Sequence, residues 1–435
     1  MKRILVSVGC VLLLLVSWVA AITAQSDAQK QEELIQEAET YLEDEVYILT
    51  VPLLEEAAGY EDDHTQEAEE LLKTVYLHLI DQSGYRRKYE NLLAKQMARE
   101  DAAPEIFAEA AQYYLDNSEM PDAFSVLREG IAQTGSEMLI NLYEENRYVY
   151  TVNRATYQDV TEIYGGNIQV KQGDKWGIAS ADGSLSIPCI YDQVSTFSDG
   201  RAIVRDGQVI SAVDSANNRV ALFHGTAYDF GNYAENRIAI KVSDGWVLSD
   251  GNFQMGSIAF EELGTFSDGY AAAKLNGKWG VVDLSGGEWM VQPEYEGIIQ
   301  DELGRCFAQN AVFVVEANGG VRLLVDGNPI GETYEDARPF MDGWAAVKRD
   351  GKWGFIDTQG NVQIDFQFDD ARSFGQHLAA VQIDDLWGYV SLYGEVVIEP
   401  VFQVAKSFYN GTAPVQTAMG WQFITLEEFA EGVRL

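Results

Sequence analysis

"DGKWGFIDTQG", Asp350–Gly360, decides how the chain is read. Asp350-Gly351 separates two runs that alternate in strand fashion, "WAAVK" (Trp344–Lys348) and "KWGFID" (Lys352–Asp357). An Asp-Gly step between alternating runs signals a tight β-hairpin, because glycine takes positive φ without steric cost. "TQG" predicts a second turn into a third strand, "NVQIDF", and "DDARSF" leads onward to the next copy. The predicted unit is a three-stranded meander, which cannot bury its apolar face alone.

The unit recurs. Trp-Gly pairs stand at Trp176-Gly177, Trp279-Gly280, Trp353-Gly354 and Trp387-Gly388, while Trp246 and Trp421 keep the Trp without the Gly. With Val209 and Phe313 as degenerate substitutes, the landmarks are 33, 37, 33, 34, 40, 34 and 34 residues apart. A second phrase accompanies the first: "FSDGRAIV", "FSDGYAAA", "FMDGWAAV" and "FGQHLAAV". Fixed self-similarity at this period predicts stacked structural repeats.

The alternation of F-x-x-G-x-A-x-V with G-K-W-G-x-x-D, joined by aromatic-Asp steps such as Tyr191-Asp192 and Phe368-Asp369, resembles the bacterial WG-repeat family. The resemblance covers about residues 148–435 and implies a β-rich repeat domain without implying one activity. The Trp side chains read as packing surface between units rather than sugar-stacking platforms. The neighbouring Gly is expected to leave room for a ring or backbone of the next unit. The Asp residues of "SDG", "MDG" and "RDG" read as turn formers that bond their own backbone. The last copy ends after two strands, and the segment from Tyr148 to Tyr157 begins part-way through a unit. That complementarity predicts a closed, propeller-like toroid of about eight short three-stranded blades, with an open β-solenoid as the alternative.

Residues 27–147 are different in kind, rich in Ala, Leu and Glu, with 29 acidic and 9 basic residues. Helical spacing in "HTQEAEELLKTVYLHLI", with starts at Asp63, Pro104 and Ser118 and stops at Gly59, Gly84, Gly130 and Gly135, predicts six or seven helices in antiparallel hairpins. One stretch, "IFAEAAQYYLDNSEMPDAFSVLREGIAQTG", is similar to a tetratricopeptide-type helix pair. The whole is thus an α+β multidomain chain.

Ahead of it, Lys2 and Arg3 precede an uncharged run from Ile4 to Ile22, whose nineteen residues would span about 28 Å as a helix. Residues 1–25 therefore predict a signal-anchor or transmembrane helix with its N-terminus inside and the bulk of the chain extracytoplasmic. Cleavage of a signal peptide near Ala24 is the alternative.

The formal charge of −38 makes nucleic acid a poor partner, since phosphate binding needs a basic face. Cys10, Cys189 and Cys306 show no C-x-x-C spacing, and His64, His78, His224 and His377 no metal-ligand spacing. No nucleophile elbow or phosphate loop is written in the chain, so no catalytic residue, metal or cofactor is assigned. The expected function is a non-enzymatic, membrane-anchored scaffold that binds an unidentified protein through its repeat surfaces. A cell-wall or polysaccharide-binding module is the second reading, and an unrecognised hydrolase the third.

Overall fold

The computed structural model describes residues 27–60 and 64–428, which fall into two compact units, residues 1–145 and 146–435. The anchor expected over residues 1–25 lies outside the described residues. Among those described, no helix is long and apolar enough to cross a membrane, so the membrane-spanning helix has no counterpart there.

Among the described residues the first unit contains α1 (27–43), α2 (Tyr47–Ala58), α3 (Thr65–His78), α4 (Tyr85–Met97), α5 (Pro104–Asp116), α6 (Met120–Thr134) and α7 (Glu137–Asn146). Gly84 (φ 94°) and Gly135 (φ 63°) flank helix ends in the left-handed conformation that glycine favours. Gly130, by contrast, does not stop a helix but lies inside α6. A Cβ there would stand 2.6 Å from Phe107 Cγ, so the glycine lets α6 close onto α5. Between helices, Glu69 is fully buried and takes the Arg99 guanidinium at 2.7 Å, while buried Lys73 reaches Glu109 at 2.5 Å.

The second unit corrects the blade expected from sequence. It holds eight sheets of four strands each, not three. The segment read as a connector supplies the extra strand: Asp336-Ala337 pairs with Lys348 and Val347 before "WAAVK" begins. Each blade runs from this two-residue strand outward through three longer ones. Blades 1 to 7 occupy residues 159–191, 193–222, 229–260, 262–295, 297–334, 336–368 and 370–402. Blade 8 takes three strands from residues 404–426 and its outermost strand, Tyr150–Val152, from the start of the unit. Tyr157 and Trp421 exchange backbone hydrogen bonds of 2.9 Å across the same seam. The ring is closed, and the open solenoid is ruled out.

The repeated phrase acquires a cause residue by residue. Asp350 (φ 52°) and Gly351 (φ 78°) form a turn with positive φ at both positions, the tight hairpin geometry whose twist matches the strands. Trp353 lies opposite Phe368, and the outer strand then bulges before Phe355 meets Ile364. That bulge brings the Ile364 carbonyl to 2.7 Å from where a Gly354 Cβ would stand. At Gly177, Gly280 and Gly388 the equivalent approach is 2.5, 2.4 and 2.4 Å. The close neighbour is therefore the outer strand of the same blade, not the next unit. The Lys before three of the four Trp-Gly pairs (Leu386 stands before the fourth) meets the acid of the aromatic-acid step: Lys352 Nζ lies 2.5 Å from Asp369, Lys175 2.6 Å from Asp192 and Lys278 2.8 Å from Glu296. Asp369 also accepts the N–H of Asp384 in the next hairpin turn, and Asp192 that of Gly207. The bond from Lys175, with that from Gly207, holds the Asp192 carboxyl below its ordinary pKa.

Two landmarks move. Arg205 pairs with Ile210, so Ile210 and not Val209 takes the Trp place in blade 2. In blade 5 it is Val321, opposite Val315, while Phe313 lies one strand earlier.

Candidate functional site

Side chains from distant blades meet where the two-residue strands end, which places those strands at the axis of the ring. Arg372 of blade 7 donates to Glu162 of blade 1 at 3.3 Å, and Lys406 of blade 8 lies 2.6 Å from Glu302 of blade 5. Ser407 N donates to the other Glu162 oxygen at 3.1 Å. Burial pushes the Glu162 carboxyl above its ordinary pKa, against the opposing pull of Arg372.

Blade 5 reaches so far because its axial loop is longer. Twelve residues, 299–310, separate its first two strands, against the six of 338–343 in blade 6. The additional turn is held by Asp301, which accepts from Leu303 N and Arg305 N and pairs with the Arg305 guanidinium at 2.6 Å. From it the Leu303 carbonyl accepts from Asn232 of blade 3 and Thr265 of blade 4, while Glu302 points the other way. The loop plugs the axis, bonded to blades 3 and 4 through Leu303 and to blade 8 through Glu302.

On the Glu302 side lies a cavity of about 420 Å³. Arg305, Arg338, Arg372, Glu162, Glu302 and Asp342 contribute charge to it, and Phe307, Phe340 and Met341 an apolar wall. The loop tips on its rim are stapled blade to blade. Asp268 accepts from Gln309 N at 3.1 Å and Asp342 from Gln376 N, as Asp199 does from Asn236 N at 2.9 Å. These are the Asp residues of "SDG" and "MDG"; they bond the next blade's loop rather than their own backbone.

The repeat tryptophans sit beside this axis rather than in the cavity. Trp353, Trp387 and Trp421 are buried, each beneath the cation that follows its blade's first strand: Arg338 at 4.3 Å, Arg372 at 5.5 Å and Lys406 at 5.1 Å from the ring centre. Trp176, Trp246 and Trp279 are only half-buried, with the strand residues Lys171, Lys241 and Lys274 over them. Gly177, Gly280, Gly354 and Gly388 are buried in their bulges and face no cavity. Arg338, Arg372, Lys406 and the axial loop were missed in sequence. The available signal was the basic residue at one fixed offset before the Phe of three successive copies, "ARPF", "ARSF" and "AKSF".

Cys306 is buried and free, its thiol pushed up to about 12 by burial, and Cys189 is free and half-buried. No group of three or more His, Cys, Asp or Glu suited to a metal ion occurs among the described residues.

Five stretches, residues 176–208, 257–279, 327–353, 353–387 and 387–418, match the family described as WG containing repeat. The second unit thus carries WG repeats. The match does not extend to the helices, so the tetratricopeptide resemblance gains nothing from it. No curated protein matches the sequence. Among solved structures, the WD40 β-propeller domain of Doa1 is similar at 12% identity and a TM-score of 0.31, over 65% of this chain and 97% of that one. The Neurospora crassa Pan2 WD40 domain is similar at 11% identity and a TM-score of 0.35, over 64% and 91%. The AfRom2 CNH domain stands at 10% identity and a TM-score of 0.31, over 65% and 98%. At such scores these likenesses carry no argument about function. A WG-repeat propeller is an interaction-type repeat domain, and such rings typically bind rather than catalyse.

Proposed function

We propose that this protein is a non-catalytic, extracytoplasmic scaffold whose charged axial cavity holds a segment of a partner protein. The uncharged run Ile4–Ile22 after Lys2 and Arg3 supports export and retention at the membrane. One observation carries the binding reading: ionised groups of both signs and an apolar wall converge on one cavity of about 420 Å³. Pockets of this size usually combine apolar walls with a few placed polar groups that fix orientation. Both signs of charge fit a peptide that carries both, and the overall charge of −38 disfavours nucleic acid.

Peptides selected from a random display library on the full chain test this reading. The selected sequences should carry both charges, bind less tightly as salt rises, and lose at least tenfold in affinity on Arg338→Ala. Selected peptides indifferent to salt and to Arg338→Ala would overturn it.

A further inference from the structure

Beside the axial plug, where Asn232 bonds Leu303, blades 1, 2 and 3 line a second cavity of about 310 Å³. Its composition inverts the first. Thr161, Gln169, Gln193 and Asn232 supply the polar groups, Trp176 and Phe230 the aromatic ones, and no ionic side chain lines it. The first cavity cannot extend its chemistry here, because the residues after the first strands are Thr161, Ser195 and Gly231 rather than Arg or Lys. With only Thr161 there, Trp176 is left half-buried and reaches the cavity wall.

The amides are held in place. Gln169 Nε2 donates to the Val194 carbonyl at 2.7 Å and to Asn232 Oδ1 at 3.0 Å, and Asn232 Nδ2 donates to Leu303 O at 3.0 Å. Those bonds fix which end of Gln169 is oxygen. Its Oε1 then has no hydrogen-bond partner, although the residue is only 7% exposed. Arg205, outside that lining, holds two of the wall residues: it lies 5.6 Å over the Phe230 ring and donates Nε to Gln193 Oε1 at 3.3 Å. Gln169, on the cavity wall, thus keeps an unmet acceptor. A hydroxyl can donate to it, and a ring bearing several hydroxyls can also bond the neighbouring amides while laying its C–H face on an aromatic side chain.

We propose that the cavity between blades 1, 2 and 3 binds a neutral polyhydroxylated ring, a sugar residue of a glycan. This does not depend on the peptide reading of the charged cavity, because the two sites share no lining residue.

Calorimetric titration of the full chain with maltotriose, cellotriose and triacetylchitotriose, followed by hydrogen exchange with and without sugar, tests it. The expected result is saturable binding of at least one sugar, with slowed exchange around Thr161, Gln193–Thr196 and Phe230–Asn232. Affinity should fall at least tenfold in Gln169→Leu and stay unchanged in Arg338→Ala. Should Gln169→Leu not fold, the exchange map of the unaltered chain decides alone. Absence of binding by all three sugars at about 10 mM would overturn the proposal. So would protection confined to the loop tips of blades 4 to 7, or capture of N-acetylalanine amide at this site in place of the sugars.

Discussion

Blades 6, 7 and 8 and blades 1, 3 and 4 place a tryptophan at the same rung of the same ladder, yet they bury it differently. In the first group Arg338, Arg372 and Lys406 close over the rings of Trp353, Trp387 and Trp421. In the second, Thr161, Gly231 and Gly264 stand at the corresponding axial position, and Trp176, Trp246 and Trp279 stay half-buried. The repeat thus sets the scaffold, and one residue after the first strand sets what each side of the axis presents. Long cationic side chains bury the first group's tryptophans; short residues leave the second group's half-buried, and of these Trp176 lines the neutral cavity.

Replacing the tryptophans should split the two groups most widely. Trp353→Ala removes a ring packed among Phe355, Phe368 and Phe374 and should cost about 3–5 kcal/mol. Trp176→Ala should cost about half of that, since part of its surface already meets solvent. Urea denaturation measures both, and equal costs would break the comparison.

Next in size is Arg372→Ala. It strips the buried Glu162 of its cation and should destabilise by about 3 kcal/mol, as expected when one partner of a buried pair is removed. The neutral side offers the control: Gln193→Ala loses amide hydrogen bonds to Asp229 and Phe230 and should cost about 1 kcal/mol. A larger loss for Gln193→Ala would mean that the amide side, not the ionic one, holds the axis together.

Much of this scaffold could be read before any coordinates. Asp350-Gly351 marks its hairpin, the Trp spacing marks eight units, and the orphan strand before Tyr157 matches the gap after Trp421. The inner strands could not be read, because Asp336-Ala337 or Val404-Ala405 are two residues long and two residues show no period. The degenerate blades misled for a related reason. Without a Trp, spacing alone assigned Phe313 in place of Val321, which put the long interval after blade 5's landmark instead of before it. The axial plug at Gln300–Arg305 was thereby hidden. The site itself is assembled from single residues of several blades, and only their repetition at one offset, as in "ARPF", "ARSF" and "AKSF", leaves a trace along the chain.

Acidification gives a smaller, signed test. Burial raises the folded-state pKa of Glu162, so the folded protein binds this proton more tightly than the unfolded chain. Wild type should therefore gain stability relative to Glu162→Gln as pH falls towards the ordinary carboxylate range. The same difference should shrink as pH rises. Denaturation midpoints of both proteins between pH 7 and 5 measure it, and a gap that moves the other way would show Glu162 to be stabilised as the carboxylate.

The claim that matters most is that the charged side of the axis is where a partner protein is held. A photo-crosslinking amino acid placed at Met341, on the wall of that cavity, tests it in the living host against the same residue at Val362, exposed on the outer strand of blade 6. The account predicts one discrete crosslinked protein from position 341, lost when Arg338→Ala is added, and none from position 362. A crosslinked partner from position 362 with none from 341 would contradict it.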